Sequence, residues 1–212
     1  MTAILERRKR RLQLRRAANR SVSAGLEEWL DGDEPTTLGT LNHAFGEKLL
    51  AAGCLTLMAP SALPIPTGGA THVFDVFAIV FAVQMLLARR SVWLPAKWSK
   101  REMGIKTQKA FRMLIRFVKQ CERISRPRLA RTVSSRIVGV VAGAAMVLFI
   151  VAAFFSPPFS GLDTLPSLGV VLLSLGILME DALFAIVGFV TGSVGIGLTV
   201  FFALQASSLI AG

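Results

Sequence analysis

The chain has 212 residues, 53% hydrophobic and only 17% charged, with a mean hydropathy of +0.58; soluble domains usually carry about 25% charged residues. All 24 lysines and arginines lie between Arg7 and Arg136, and Ile137 to Gly212 holds three acids (Asp163, Glu180, Asp181) and no lysine or arginine. Charge in hydrocarbon costs several kcal/mol per group, so this segregation points to a membrane protein and away from a soluble enzyme, a disordered chain or a disulfide scaffold.

Residues 1–36 read as a basic cytoplasmic arm. Eight cations fall before Ser21 with no apolar h-region, which argues against a signal peptide. An acidic patch follows (Glu27, Glu28, Asp31, Asp33, Glu34), and Pro35 ends the segment. Cys54 and Cys121 lack metal-ligand spacing with His43 and His72, and read as free thiols facing lipid or a reducing cytoplasm.

Residues 37–90 read as a first membrane hairpin. Leu38, Leu41, Phe45 and Leu49 recur at helical spacing, and the apolar run closes at Pro60, Pro64, Pro66 and the Gly68–Gly69 pair, which cannot continue a helix. A second run, Val73–Ala88, contains Asp75 and Gln84 and ends at Arg89–Arg90. A full span needs about 20 apolar residues. Either the first helix extends back to Leu38, or the pair does not cross fully. Cations at both ends place those ends, and the N-terminus, in the cytoplasm.

Residues 91–136 form a basic cytoplasmic or interfacial region. Lys106–Ile124 predicts an amphipathic helix with an apolar stripe (Phe111, Leu114, Ile115, Val118, Cys121) and a basic one (Lys109, Arg112, Arg116, Lys119, Arg123). Such a helix places its stripe in acyl chains and its cations on anionic lipid phosphates; packing on the protein's own hairpins is the alternative. Trp93 and Trp98 stand where interfacial indoles are expected. Residues 137–181 read as a second hairpin, with a 19-residue apolar run to Phe155, a break at Ser156–Gly161 and a short run to Glu180–Asp181. Residues 182–212 read as a C-terminal transmembrane helix whose Gly188, Gly192, Gly195 and Gly197 suit close helix contact and admit a homodimer.

Displaced by 92 residues, the chain lays Pro66 on Pro158, Gly69 on Gly161 and Ala88–Arg89 on Glu180–Asp181. The shared order of apolar helix, Pro/Gly break, shorter helix and charged end predicts an internal repeat. Without a crossing between the halves, the repeats are parallel rather than inverted.

Several strings then acquire a meaning together: Ala59-Pro60-Ser61-Ala62-Leu63-Pro64-Ile65-Pro66; Gln84 followed by Arg89-Arg90 and Trp93-Leu94-Pro95; Glu122-Arg123-Ile124-Ser125-Arg126-Pro127-Arg128-Leu129; and the second Pro-Pro-Phe break followed by Pro166-Ser167-Leu168. In this order they resemble the bacterial exopolysaccharide synthesis ExoD family, from about Leu38 to Leu198. The family's pattern has Gly at Ala88, Arg-Asp-Gly at Glu180-Asp181-Ala182, and an Asn after the second Pro-Phe that is missing here. The resemblance implies a link to exopolysaccharide production and to growth at alkaline pH.

The expected protein is all-α and polytopic, with two Pro/Gly-broken hairpins and an amphipathic interfacial helix. Broken helices free backbone dipoles that hold an anion at an N-terminus or a cation at a C-terminus. Pro64, Pro66, Gly69, Pro158 and Gly161 are therefore candidate substrate-binding positions, with an ordinary turn as the alternative. Asp181 and Arg89 are candidates for an ion step, the other reading being solvated helix ends; Asp75 and Glu180 belong to the same group of carboxylates. Gln84 either binds substrate or hydrogen-bonds between helices. Glu122, Arg126 and Arg128 suit a phosphate on an anionic lipid or polyprenyl-linked sugar, or a positive-inside loop. No catalytic residue, phosphate loop, metal cluster or nucleic-acid motif is discernible, so neither an enzyme, a cofactor nor a nucleic-acid partner is expected. The function expected is transporter- or flippase-like, for an ion or an anionic lipid-linked species. The alternative is a non-transporting assembly factor bound to polysaccharide synthesis or export components.

Overall fold

The computed structural model describes residues 22–31, 42, 45–63, 72–89, 92, 105–124, 135–156 and 160–211, and among them there are seven α-helices and no strand. They are α1 (Val22–Leu30), α2 (Glu47–Met58), α3 (His72–Leu86), α4 (Ile105–Ile124), α5 (Arg136–Phe155), α6 (Thr164–Met179) and α7 (Ala182–Ala211). The chain forms two compact units, Met1–Leu49 with Arg90–Arg126 and Leu50–Arg89 with Pro127–Gly212. The first unit thus draws on sequence from either side of the first apolar pair.

In the first unit, α1 packs on α4. Leu26 and Trp29, three residues apart on one face of α1, are buried, as are Ile115 and Val118 of α4. Part of the expected basic arm is thus a packed helix. The expectation for α4 also needs correction: Ile115 and Val118, assigned to acyl chains, are covered by protein. The acidic patch supplies counter-ions, with Arg112 bonded to Asp31 at 3.2 Å and Lys119 to Glu27 at 3.0 Å. Asn42 joins the segment after α3 to this unit. Its side chain donates to the Val92 carbonyl (2.8 Å) and accepts from the Val92 N–H (2.7 Å).

The second unit is a chain of antiparallel neighbours. In α2 and α3, the Cys54 thiol faces the Ala78 carbonyl and Gly53 lies under the Phe81 ring. In α3 and α5, Gly143 meets the backbone at Met85–Leu86, while His72 stacks on Phe154. In α6 and α7, Pro166 lies beside Gly195 and Gly176 beside Ala185. Because α2 and α5 each run antiparallel to α3, they are parallel to each other. The C-terminal end of α2 therefore lies at the same end as the C-terminal end of α5.

The 92-residue displacement reappears in the backbone. α3 starts at His72 and α6 at Thr164. Ala88 and Glu180 both adopt left-handed φ, 51° and 54°. Ala88 N–H bonds to the Met85 carbonyl and Arg89 N–H to that of Gln84, just as Glu180 bonds to Ile177 and Asp181 to Gly176. Each set is a Schellman ending, which satisfies the last free carbonyls of a helix.

Polarity in α3 is the reverse of what water selects. It buries Asp75, Ala78, Ala82, Gln84 and Met85 and exposes Val73, Phe74, Val76, Phe77, Val80, Val83 and Leu87. α7 likewise exposes Leu183, Ile186, Val190, Phe201, Phe202 and Leu204. Two helices are long and apolar enough to span a bilayer, α5 over 20 residues and α7 over the 24 residues Ala182–Gln205. The first apolar pair is shorter. Gly46, with φ 52°, interrupts helical continuity before Glu47, so α2 does not extend unbroken back to Leu38. α2 has 12 residues and α3 has 15, about 18 and 22 Å at 1.5 Å per residue, against roughly 30 Å of hydrocarbon.

Candidate functional site

Three polar residues of the second unit, Ser61, His72 and Asp75, meet where α2 gives way to α3. Ser61 lies in the turns after Met58, and helix α3 carries His72 and Asp75 three residues apart, hence on one face. The Asp75 carboxylate is 2% exposed and Ser61 is 3% exposed. His72 Nδ1 lies 3.2 Å from Asp75 Oδ2, and the Ser61 hydroxyl donates to Oδ1 at 3.5 Å. The imidazole is one-third exposed (33%), and its ring centroid is 5.1 Å from that of Phe154. The field of Asp163, just before α6, also reaches Asp75. Both serine and histidine address the carboxylate. In a hydrolytic triad the imidazole stands between hydroxyl and carboxylate; here the carboxylate stands between the hydroxyl and the imidazole.

His72 is the residue that sequence reading left out. It lies one residue before the apolar run Val73–Ala88, and its legible signal is the His-x-x-Asp spacing at the start of a helix. Ser61 carries no sequence signal, because only the α2–α3 pairing brings it to Asp75.

The sequence-derived site residues have dispersed positions. Pro64, Pro66, Gly69, Pro158, Arg126 and Arg128 lie outside the described residues. Gly161 is exposed with φ 69° in the turn before α6. Gln84 is buried at the far end of α3, and its amide donates to the Val80 carbonyl of its own helix at 3.2 Å. Arg89 follows α3 in an exposed position. Asp181 is buried and caps α7, with Oδ1 accepting from the Leu183 N–H at 3.0 Å. Glu122 belongs to the other unit. Its carboxylate accepts from Ser23 through both the backbone N–H (3.1 Å) and the hydroxyl, at the positive end of α1. Glu122 therefore holds α1 in place.

Both cysteines are free thiols, but Cys54 is buried against α3 and does not face lipid. Three of the four glycines of α7 are occupied within the chain: Gly188 lies on Leu172–Leu173, Gly192 on Gly169 and Phe149, and Gly195 on Pro166, whereas Gly197 faces open space. Among the described residues no group of three metal-ligating side chains occurs.

An all-helical chain with large apolar side chains outward and a buried carboxylate at an interhelical break defines a class of small helical proteins suited to an apolar surrounding. The sequence profile described as "Exopolysaccharide synthesis, ExoD" matches residues 22–201, and the chain belongs to the ExoD family. It is 30% identical over 140 residues to Uncharacterized protein slr1875 of Synechocystis sp., covering 65% of this chain and 64% of that relative. It is 28% identical over 188 residues to Protein ExoD of Rhizobium meliloti, covering 78% of this chain and 76% of that one. The chain thus spans slightly less than two thirds of the first relative's length. No solved structure matches it.

Proposed function

We propose that the protein is an inner-membrane component of bacterial exopolysaccharide synthesis, acting as a transporter- or flippase-like protein for an ion or an anionic lipid-linked species. The observation that carries this reading is the reversed polarity of α3, with large apolar side chains outward and Asp75 inward at the break. Lipid rewards the outward face, and an intramembrane carboxylate facing the bundle interior is a functional group by default.

Depth supports the same reading. Gly195 marks the level of Pro166 at the start of α6, yet α7 stays apolar to Leu204, about 13 Å farther at 1.5 Å per residue. If α7 spans, the C-terminal end of α2 and the N-terminal ends of α3 and α6 lie inside the hydrocarbon, the depth of a re-entrant pair. Irregular backbone at that depth needs protein or water to satisfy it. Arg89 and Arg136 lie at the opposite end of the unit, which the positive-inside rule assigns to the cytoplasm together with the N-terminus.

Anionic lipid is the partner proposed for α4, at the exposed face bearing Arg116, Met113 and Phe117. No covalent chemistry is assigned to the protein. Purified protein in phospholipid vesicles with an internal pH dye is expected to show saturable ion flux above empty vesicles, lost in Asp75→Asn. Absence of flux for protons, sodium and a fluorescent polyprenyl-phosphate analogue alike overturns transport. It then favours the assembly reading, for which the exposed Met113 and Phe117 form a docking face.

A further inference from the structure

We infer that Asp75, His72 and Ser61 form a binding site for a single proton, exchanged with water at the break between α2 and α3. This deepens the transport reading by naming the ion, and it rests on that reading only for the location of α3 in lipid. The geometry selects a proton over a metal. His72 Nδ1 and Asp75 Oδ2 are 3.2 Å apart, a separation that one shared proton bridges, and no third nitrogen, sulfur or carboxylate ligand completes a cation shell among the described residues.

Exposure sets the direction of exchange. The carboxylate is closed off, whereas one-third of the imidazole is open, so the ring is the route between water and the buried oxygen. A proton arriving at Nε2 allows the Nδ1 proton to pass to Oδ2. The products are a neutral imidazole in its other tautomer and a neutral carboxylic acid; release runs the same steps backwards. The net change is one proton gained by the pair, and the Ser61 hydroxyl steadies Oδ1 in both states.

The titratable surroundings are sparse. On α3 itself the one other ionisable side chain is His72. From α2 and its following turn the facing groups are the Ser61 hydroxyl and, farther along, the Cys54 thiol. α5 contributes the Phe154 ring, its one ionisable side chain, Arg136, being at the opposite end. Asp163, before α6, is a further carboxylate whose field reaches Asp75. Ser167 occupies the position matching Asp75 in the second half; it is buried and does not titrate.

The full-length protein in phosphatidylethanolamine–phosphatidylglycerol vesicles is treated with dicyclohexylcarbodiimide, which modifies protonated carboxyls in apolar surroundings, and the adducts are located by peptide mass spectrometry across pH 5 to 10. Labelling of Asp75 is expected to fall as pH rises, with the midpoint moved by about one pH unit, a tenfold change in proton affinity, in His72→Asn. Ser167→Ala, outside the site, leaves the profile unchanged. Absent or pH-independent labelling of Asp75, or a midpoint indifferent to His72→Asn, overturns the site. Proton flux in the same vesicles separates the two claims. A titrating Asp75 without flux overturns transport and keeps the site, whereas flux persisting in Asp75→Asn beside a non-titrating Asp75 does the reverse.

Discussion

At Ala88 and Glu180 the backbone is left-handed, a conformation that costs a residue with a Cβ about 1–2 kcal/mol. Glycine recovers most of this and gives some back as freedom in the unfolded chain. Ala88→Gly and Glu180→Gly are each expected to stabilise the protein by about 1 kcal/mol, read as a raised unfolding midpoint in detergent. A lowered midpoint in both would show that neither helix ends as described. Cys121 offers a pH test. Burial, aided by the adjacent Glu122 carboxylate, raises its pKa, so its thiolate fraction at pH 7.5 falls below that of a free cysteine. Its alkylation is expected to be slower than that of a model thiol and to climb about tenfold per pH unit up to the raised pKa. Cys54 is expected to remain unlabelled until α2 and α3 separate. Alkylation of Cys121 at the model-thiol rate, or early labelling of Cys54, contradicts these placements.

The helices divide by what their neighbours demand. α6 and α7 approach so closely that a Cβ at Gly188 would lie 2.5 Å from the Leu173 backbone nitrogen. Gly188→Leu must force the pair apart, with an expected loss of about 2 kcal/mol or more, whereas Gly197, with open space around it, should accept alanine at little cost. Thermal unfolding of the two variants side by side distinguishes them. α1 depends on α4 through Trp29, and Trp29→Ala is expected to cost about 3–5 kcal/mol within that unit. The Lys119–Glu27 pair, half-exposed on both sides, should matter by less than about 1 kcal/mol. Proteolysis within α1 reports both changes. Near equality of the two effects would mean that charge, rather than the buried indole, docks α1.

For the whole molecule, the exposed apolar faces of α3 and α7 predict that the protein stays with membranes through alkaline carbonate washing and leaves only with detergent. Release by carbonate contradicts the lipid-embedded reading. Much of this was legible beforehand. Cation-free residues 137–212 announced α5 and α7, because a charge is too costly in hydrocarbon to be scattered there by chance. The repeated ending was legible as Ala88–Arg89 against Glu180–Asp181. The candidate site was half legible: Asp75 stood out as an acid in an apolar run, while His72 fell just outside the run and Ser61 was only one serine among prolines.

Amino-acid order by itself determined the helical class, the segregation of charge and the position of both helix ends, since these follow from solvation energy and local backbone preference along a few turns. Tertiary structure alone decided which surfaces were already taken. It buried Ile115 and Val118 of α4 where α1 packs, assigned Glu122 to Ser23, gave Gly188, Gly192 and Gly195 of α7 to α6 and α5, and set Ser61 and His72 on Asp75. Each of these depends on which helix lies beside which, and a hydrophobic or glycine-rich face is equally satisfied by lipid, a second copy or its own chain until packing chooses one.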